Sequence, residues 1–303
     1  MLYRKYRDKV EATASKWFSD TGKFVAPKKP YILARHEDWE QNLIDPRIYA
    51  LVEKVRPRHT YVHHGLSSQV LCFNLFGALL LRKSLDSLKD IVVSKGGSWP
   101  EGPCDGEFEF DEPAVFNENS REQPTSWDFA IRAPGQYPFA LVEVKFVEQS
   151  VGACSVFERG DCDGLNPVED FQLCFLEKEK KRQYWEVFKA QGILDTPAFA
   201  GTICPMTIYY QFYREATFAA AKRVQMIFLY DDRNPVFGRI DNSDQRGLLP
   251  LLMRHLPPAV AKNIKIITLS ELAYSLHASG RHDDWLPDFA RKYGISLDEP
   301  SYK

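Results

Sequence analysis

The period of the hydrophobic positions changes several times along the chain, and each change marks an element. Val70, Leu71, Phe73, Leu75, Phe76, Leu79 and Leu80 fall on most sides of a helical projection. That pattern predicts a buried helix, with Ser67 or Ser68 placed to cap it. Gly96 to Pro103 is punctuated by Gly and Pro and reads as a loop. Period two then takes over in Glu107-Phe108-Glu109-Phe110 and again in Trp127-Asp128-Phe129-Ala130-Ile131. After the turn Ala133-Pro134-Gly135, Ala140 to Val147 is the clearest strand of the sequence. These three segments predict an antiparallel meander packed on the preceding helix. Helical patterns follow over Val168 to Ala190 and from about Met206 to Arg223. The apolar runs Val224 to Tyr230 and Ile264 to Leu269 read as buried strands, with Ser270 positioned to cap the last helix. The order predicts an α/β protein, a central mixed β-sheet flanked by helices.

Charge divides the chain unevenly. Its 303 residues carry a formal net charge of −2, which excludes a uniformly basic coat for nucleic acid, so a polyanion must meet a local patch. Met1 to Arg35 holds nine basic residues against Asp8, Glu11 and Asp20, whereas Asp105 to Glu122 holds seven acids against Arg121. Residues 1–58 are therefore expected to form a basic helical extension, either a solvated surface helix or a phosphate-contacting arm, ahead of a domain at 59–303. The longest apolar run, Gln69 to Leu81, is too short to span a membrane and contains Asn74. Met1 to Lys9 is too charged for a signal peptide, so a cytoplasmic location is expected.

Candidate chemistry centres on the strand Ala140–Val147. Ala140, Val142, Val144 and Phe146 line one face, and Glu143 and Lys145 sit on the other between Leu141 and Val147. Two charges within an apolar strand cost on the order of a few kcal/mol each unless paired or bound to an ion. Asp128, in the preceding strand, has apolar neighbours too. If the strands pair, Asp128, Glu143 and Lys145 converge. Two carboxylates can hold Mg²⁺ or Mn²⁺, which activates a bound water and neutralises charge on a phosphodiester, while the lysine steers the water. A buried ion pair between strands is the structural alternative. A second Glu-x-Lys, Glu179 to Lys181, lies in the charged run Glu177 to Arg182 and reads as solvated surface.

The order capped helix, strand, SWDFAI strand, hairpin, LVEVKF strand and helices resembles the PD-(D/E)xK restriction-endonuclease-like nuclease superfamily, over roughly Tyr61 to Leu272. The resemblance implies a mixed sheet with flanking helices and metal-dependent cleavage of DNA, with Asp128 and Glu143 as Mg²⁺ ligands and Lys145 as the third catalytic residue. Trp127 stands where the name-giving proline would be. The early helix offers Gln69 and Asn74 in place of the acid many members carry, leaving Glu107 or Glu109 as substitutes for a third ligand.

Cys154, Cys162, Cys174 and Cys204 follow the Glu-x-Lys strand, the first two in a Gly-rich loop with little apolar content. Four thiolates could bind Zn²⁺ or hold a [4Fe–4S] cluster, or the four could be ordinary thiols. Some superfamily nucleases acting on DNA ends carry a four-cysteine iron–sulfur site, and a cysteine-bearing bacterial branch is similar here, down to a Cys-Pro followed by Tyr-Gln. Cys72 and Cys104 read as structural. By the same resemblance Gln211 would bind substrate, although Glu215 stands where related helices place a tyrosine. The alternative for Tyr209 to Arg214 is an aromatic core face with Arg214 exposed, and His63-His64 reads as a surface or capping pair. DNA is the expected partner and oligomeric state is not readable. A catalytically inactive nuclease-fold DNA-binding or scaffold protein is the rival reading; a small-phosphometabolite hydrolase lacks both a GxxxxGK[ST] loop and a G-x-S-x-G elbow.

Overall fold

The chain opens on a helix with one apolar side. In α1 (Leu2–Asp20), Tyr6, Val10, Ala14, Trp17 and Phe18 recur at helical spacing and are buried, whereas Arg4, Lys5, Lys9 and Lys16 face solvent. The computed structural model describes residues 2–118, 124–238 and 246–300; Arg121 and Glu122 of the acidic run lie outside the described residues. A short hairpin, β1 (Val25–Ala26) with β2 (Lys29–Leu33), follows α1. The buried helix α2 spans Ser68–Leu81, and the Ser67 side chain accepts the Val70 N–H at its N-terminus.

The sheet comes next. Strands β3 (Asp105–Asp111), β4 (Ser126–Arg132) and β5 (Ala140–Lys145) form the antiparallel meander, and β6 (Gln225–Tyr230) and β7 (Ile264–Thr268) extend it in parallel to β5. The spatial order β3-β4-β5-β6-β7 follows the sequence, and helices cover both faces. Phe129, Ile131, Val142, Val144, Ile227 and Leu229 pack into one apolar cluster with α1, α2, α5 (Leu269–Ala278) and α6 (Leu286–Tyr293). Ala130, Leu141, Met226 and Phe228 join a second cluster with α3 (Tyr184–Ala190) and α4 (Met206–Lys222). Burying each large side chain contributes about 1.5–3 kcal/mol.

Three details differ from the sequence reading. The stretch 168–190 is not one helix: Asp170 caps a short turn at Phe171–Leu173, Phe175–Lys180 is helical, and Lys181 at φ +56° breaks the chain before α3. The charged run inside it is not all solvated either, since Glu177 and Arg182 are buried and Glu177 accepts the Trp185 N–H at 2.8 Å. Ser270 does not cap α5. Thr268 does, through a reciprocal capping box with Glu271, and the Ser270 hydroxyl donates to Asp232.

The basic start is stitched to the rest. The Tyr6 hydroxyl donates to the Phe146 carbonyl at 2.8 Å and to Asp231 at 3.0 Å, and Lys292 from α6 bonds Asn42 beneath the Trp17 ring.

Candidate active site

The site forms where the sheet ladder is interrupted. β4 and β5 pair at Phe129–Val142, Ala130–Leu141 and Ile131–Ala140. The next step would set Asp128 opposite Glu143, but the Asp128 carboxylate instead accepts the Val144 N–H at 2.7 Å. On the other side, β3 pairs with β4 at Phe108–Phe129 and Phe110–Trp127, passing over Glu109, whose φ is +52°. A non-glycine residue in the left-handed region costs of order 1–3 kcal/mol and marks strained, often functional backbone. Glu109, Asp128 and Glu143 thus form one row of carboxylates across three neighbouring strands.

All three open onto a cavity of about 410 Å³ that Lys145, Gln211 and Arg214 also line. Lys145 and Glu143, buried at 7% and 4% exposure, make an ion pair at 2.6 Å. Gln211, from α4, bridges them. Its Oε1 accepts from the Lys145 Nζ at 2.9 Å, and its Nε2 donates to the Glu143 Oε1 at 2.7 Å. The backbone supports this bridge: the Gln211 N–H donates to the Gly152 carbonyl at 3.3 Å. Gly152 has φ +78°, and a Cβ there would lie 2.8 Å from the Gln211 Cβ, so the turn needs glycine.

Burial pushes the Asp128 carboxyl well above the usual carboxylate range, and the charges of Glu143 and Glu109 push it further. Burial likewise raises Glu109, opposed by hydrogen bonds from Gln69 at 2.5 Å and from Ser126 at 3.0 Å. For Lys145 burial works against the charge, but Glu143, Glu148 and Glu215 outweigh it, and the ammonium is held charged. The row is an anionic pocket of hard oxygen donors with one buried cation. Asp128 and Glu143 present the hard oxygen donors that a divalent cation such as Mg²⁺ prefers.

The two substitutes considered for a third acid separate here. Glu109 enters the cavity, whereas Glu107 lies half-exposed on the edge strand, paired with Arg132. Gln69 orients Glu109, while Asn74 is structural, bonding Ile44, Asn42 and Tyr293. Arg214 is not exposed as the aromatic-face alternative had it; its side chain is 14% accessible and faces the cavity. Glu215, one residue on, is buried, its carboxylate oxygens have no hydrogen-bond partner among the described residues, and burial with the nearby Glu143 drives its carboxyl well up. The aromatic run around Arg214 gave no sign that this side chain lines the cavity.

A second cavity, about 520 Å³, shares His59, Ser68 and Glu148 with the first and continues past His64 to Arg7. His64 is pushed down to about 4, by burial first and then by His63, so it is neutral at pH 7. Cys154, Cys162, Cys174 and Cys204 line one small, mostly apolar pocket with Tyr184, Trp185 and Tyr210. Burial raises the Cys204 thiol to about 12, and the other three cysteines add to the shift. Cys72 is buried in α2 and Cys104 is half-buried, both apart from this pocket. Among the described residues, no group of three or more His, Cys, Asp or Glu side chains is gathered into a metal-holding set.

Residues 11–294 match the model of a family described as Restriction Endonuclease associating with ARP. The chain belongs to this restriction-endonuclease family. The five-stranded mixed sheet with helices on both faces is accordingly a restriction-endonuclease-like core, and the family match spans all five strands and the whole carboxylate row. No curated protein and no solved structure matches the chain. Among the described residues, no helix is long and apolar enough to cross a membrane.

Proposed function

We propose that this family member is a metal-dependent deoxyribonuclease of the PD-(D/E)xK type, serving restriction, DNA defence or repair. One observation carries the reading: Asp128, Glu143 and Lys145 line a single open cavity, in which Gln211 bridges Glu143 and Lys145. Asp128 and Glu143 would hold Mg²⁺ or Mn²⁺, with Glu109 as a third oxygen donor. The metal, when bound, supplies an acidified water and neutralises charge on the phosphate. The protein's own groups do the rest. Lys145 keeps its proton against burial, presents a positive charge to the attacking water and stabilises charge developing on the phosphate. Gln211 fixes Lys145 and Glu143 relative to each other and contacts the substrate backbone, and Glu143 keeps the lysine from turning away. The family description suggests that the chain works beside an ARP partner.

The test is a labelled DNA fragment incubated with the protein in Mg²⁺, in Mn²⁺ and in EDTA. Cleavage in either metal and none in EDTA is expected. No cleavage under any divalent cation, together with shifted DNA mobility, would leave a silent DNA-binding protein.

The cysteine pocket is proposed as an iron–sulfur or zinc site of the same enzyme. Four thiols lining one space are a donor set suited to either. Protein prepared without oxygen should be brown with broad visible absorption if the site holds a cluster, or colourless with one equivalent of zinc. Replacing Cys162 and Cys174 by serine should remove that metal, and absence of any metal from the unaltered protein would eliminate the site.

A further inference from the structure

Arg214 stands one turn beyond Gln211 on α4 and lines the same cavity. The protein satisfies it poorly. Its NH1 lies 3.4 Å from the Tyr210 hydroxyl and 3.7 Å from the Glu118 Oε1, and its buried Nε has no hydrogen-bond partner among the described residues. A charge-assisted guanidinium bond is normally about 2.7–2.9 Å.

Glu118 is engaged elsewhere. It accepts the Thr125 N–H at 2.6 Å, the Thr125 hydroxyl at 3.0 Å and the Tyr184 hydroxyl at 2.5 Å, and it pairs with Arg182 at 3.3 Å. Arg214 therefore takes position from its neighbours without taking a full partner. Its guanidinium carbon lies 4.6 Å over the Tyr210 ring, and the Tyr210 hydroxyl donates to the Tyr184 hydroxyl at 2.8 Å, which orients the ring. A planar fork of donors is held rigid and under-used beside a row of carboxylates. An arginine so loosely paired in such a wall is costly unless a further anion completes it.

We propose that Arg214 is a phosphate-binding residue, its guanidinium taking the two non-bridging oxygens of the DNA phosphate next to the scissile one. Lys145 and Gln211 stand at the carboxylate row, and Arg214 is displaced from them along α4, so it meets the strand one phosphate away. Planar bidentate recognition of a phosphate is what an arginine offers and a lysine does not. This proposal rests on the nuclease reading for the path of the strand.

The experiment measures binding of a short single-stranded oligonucleotide in EDTA, where nothing is cut, across a salt series. It compares the unaltered protein with Arg214→Gln and Arg214→Lys, each checked by thermal melting. Arg214→Gln should weaken binding about tenfold and flatten the log–log salt slope by about 0.7, one phosphate contact on a single strand. Arg214→Lys, which keeps the charge and so serves as the second variant should glutamine fail to fold, should keep the slope and lose severalfold affinity. A single methylphosphonate scanned along the strand should weaken the unaltered protein at one position where the glutamine variant is indifferent. Wild-type affinity and slope in both variants would overturn the proposal. If those variants bind normally while the unaltered protein still cuts in Mg²⁺, only Arg214 loses its role. If the slope falls but no metal supports cutting, Arg214 stands and the nuclease reading fails. If the unaltered protein binds no oligonucleotide, both fall.

Discussion

Lys145→Ala is expected to lower the single-turnover rate of DNA cleavage by roughly 10²–10⁴ with the secondary structure unchanged, the usual loss when one electrostatic contributor to a transition state is removed. Lys145 occupies the last position of β5, 7% exposed and held at 2.6 Å from Glu143 and 2.9 Å from Gln211. Its backbone still pairs with Tyr230 across the parallel ladder, so the strand does not depend on the side chain. The Glu143 carboxylate loses one partner and keeps the Gln211 amide, so some stability should also be lost, about 1–3 kcal/mol for a buried charge left under-paired. Lys145→Met, which keeps the stem, separates the two effects: stability should recover in part and the rate should not. Cleavage within a few-fold of the unaltered protein in both variants would remove Lys145 from the chemistry.

Asp128→Asn should abolish cleavage and, in the same molecule, raise the melting temperature of the metal-free protein at neutral pH. The sign follows from the Asp128 carboxyl, pushed above its ordinary value by burial first and then by Glu143 and Glu109. A carboxyl raised on folding binds its proton more tightly in the native state than in the unfolded one. Stability is therefore lost as pH rises from the ordinary carboxylate value through the raised one. Asparagine carries no such charge and can still accept the Val144 N–H through its amide oxygen. A gain of about 1–2 °C in EDTA at pH 7 is expected, as 1 kcal/mol shifts a chain of this size by that order. The gain should vanish near pH 3, where Asp128 is protonated in both states. A fall in melting temperature at pH 7 would mean that Asp128 serves a structural ion pair, the alternative to a metal site.

Much of this was legible because strands carry their facing in their period. Ala140, Val142 and Val144 alternate with Leu141, Glu143 and Lys145, and the first set does pack against α2 and its neighbours. What alternation could not deliver was register. Glu109 reaches the carboxylate row only because its left-handed backbone interrupts the β3–β4 pairing, a local strain with no residue-type signature. Arg214 was hidden differently. Surrounded by Tyr209, Tyr210, Phe212 and Tyr213, it looked like the solvated edge of an aromatic face, and only the fold of Glu118 and Tyr184 against it shows that it is held at a cavity wall. The helix expected over 168–190 failed for a similar reason: tertiary hydrogen bonds, such as Trp185 to Glu177, replace helical ones across the break at Lys181. Helix α1 exceeded the basic lead-in expected of it, because charge counts say nothing about Tyr6, Val10, Ala14 and Trp17 sharing one buried side.

The most direct measurement is anomalous diffraction from crystals of the unaltered protein soaked in Mn²⁺. A peak between the carboxylates of Asp128 and Glu143, within coordination distance of both and absent from Asp128→Asn crystals, is the predicted result. Mn²⁺ bound elsewhere, or no ion between these carboxylates at concentrations that support cleavage, would contradict it.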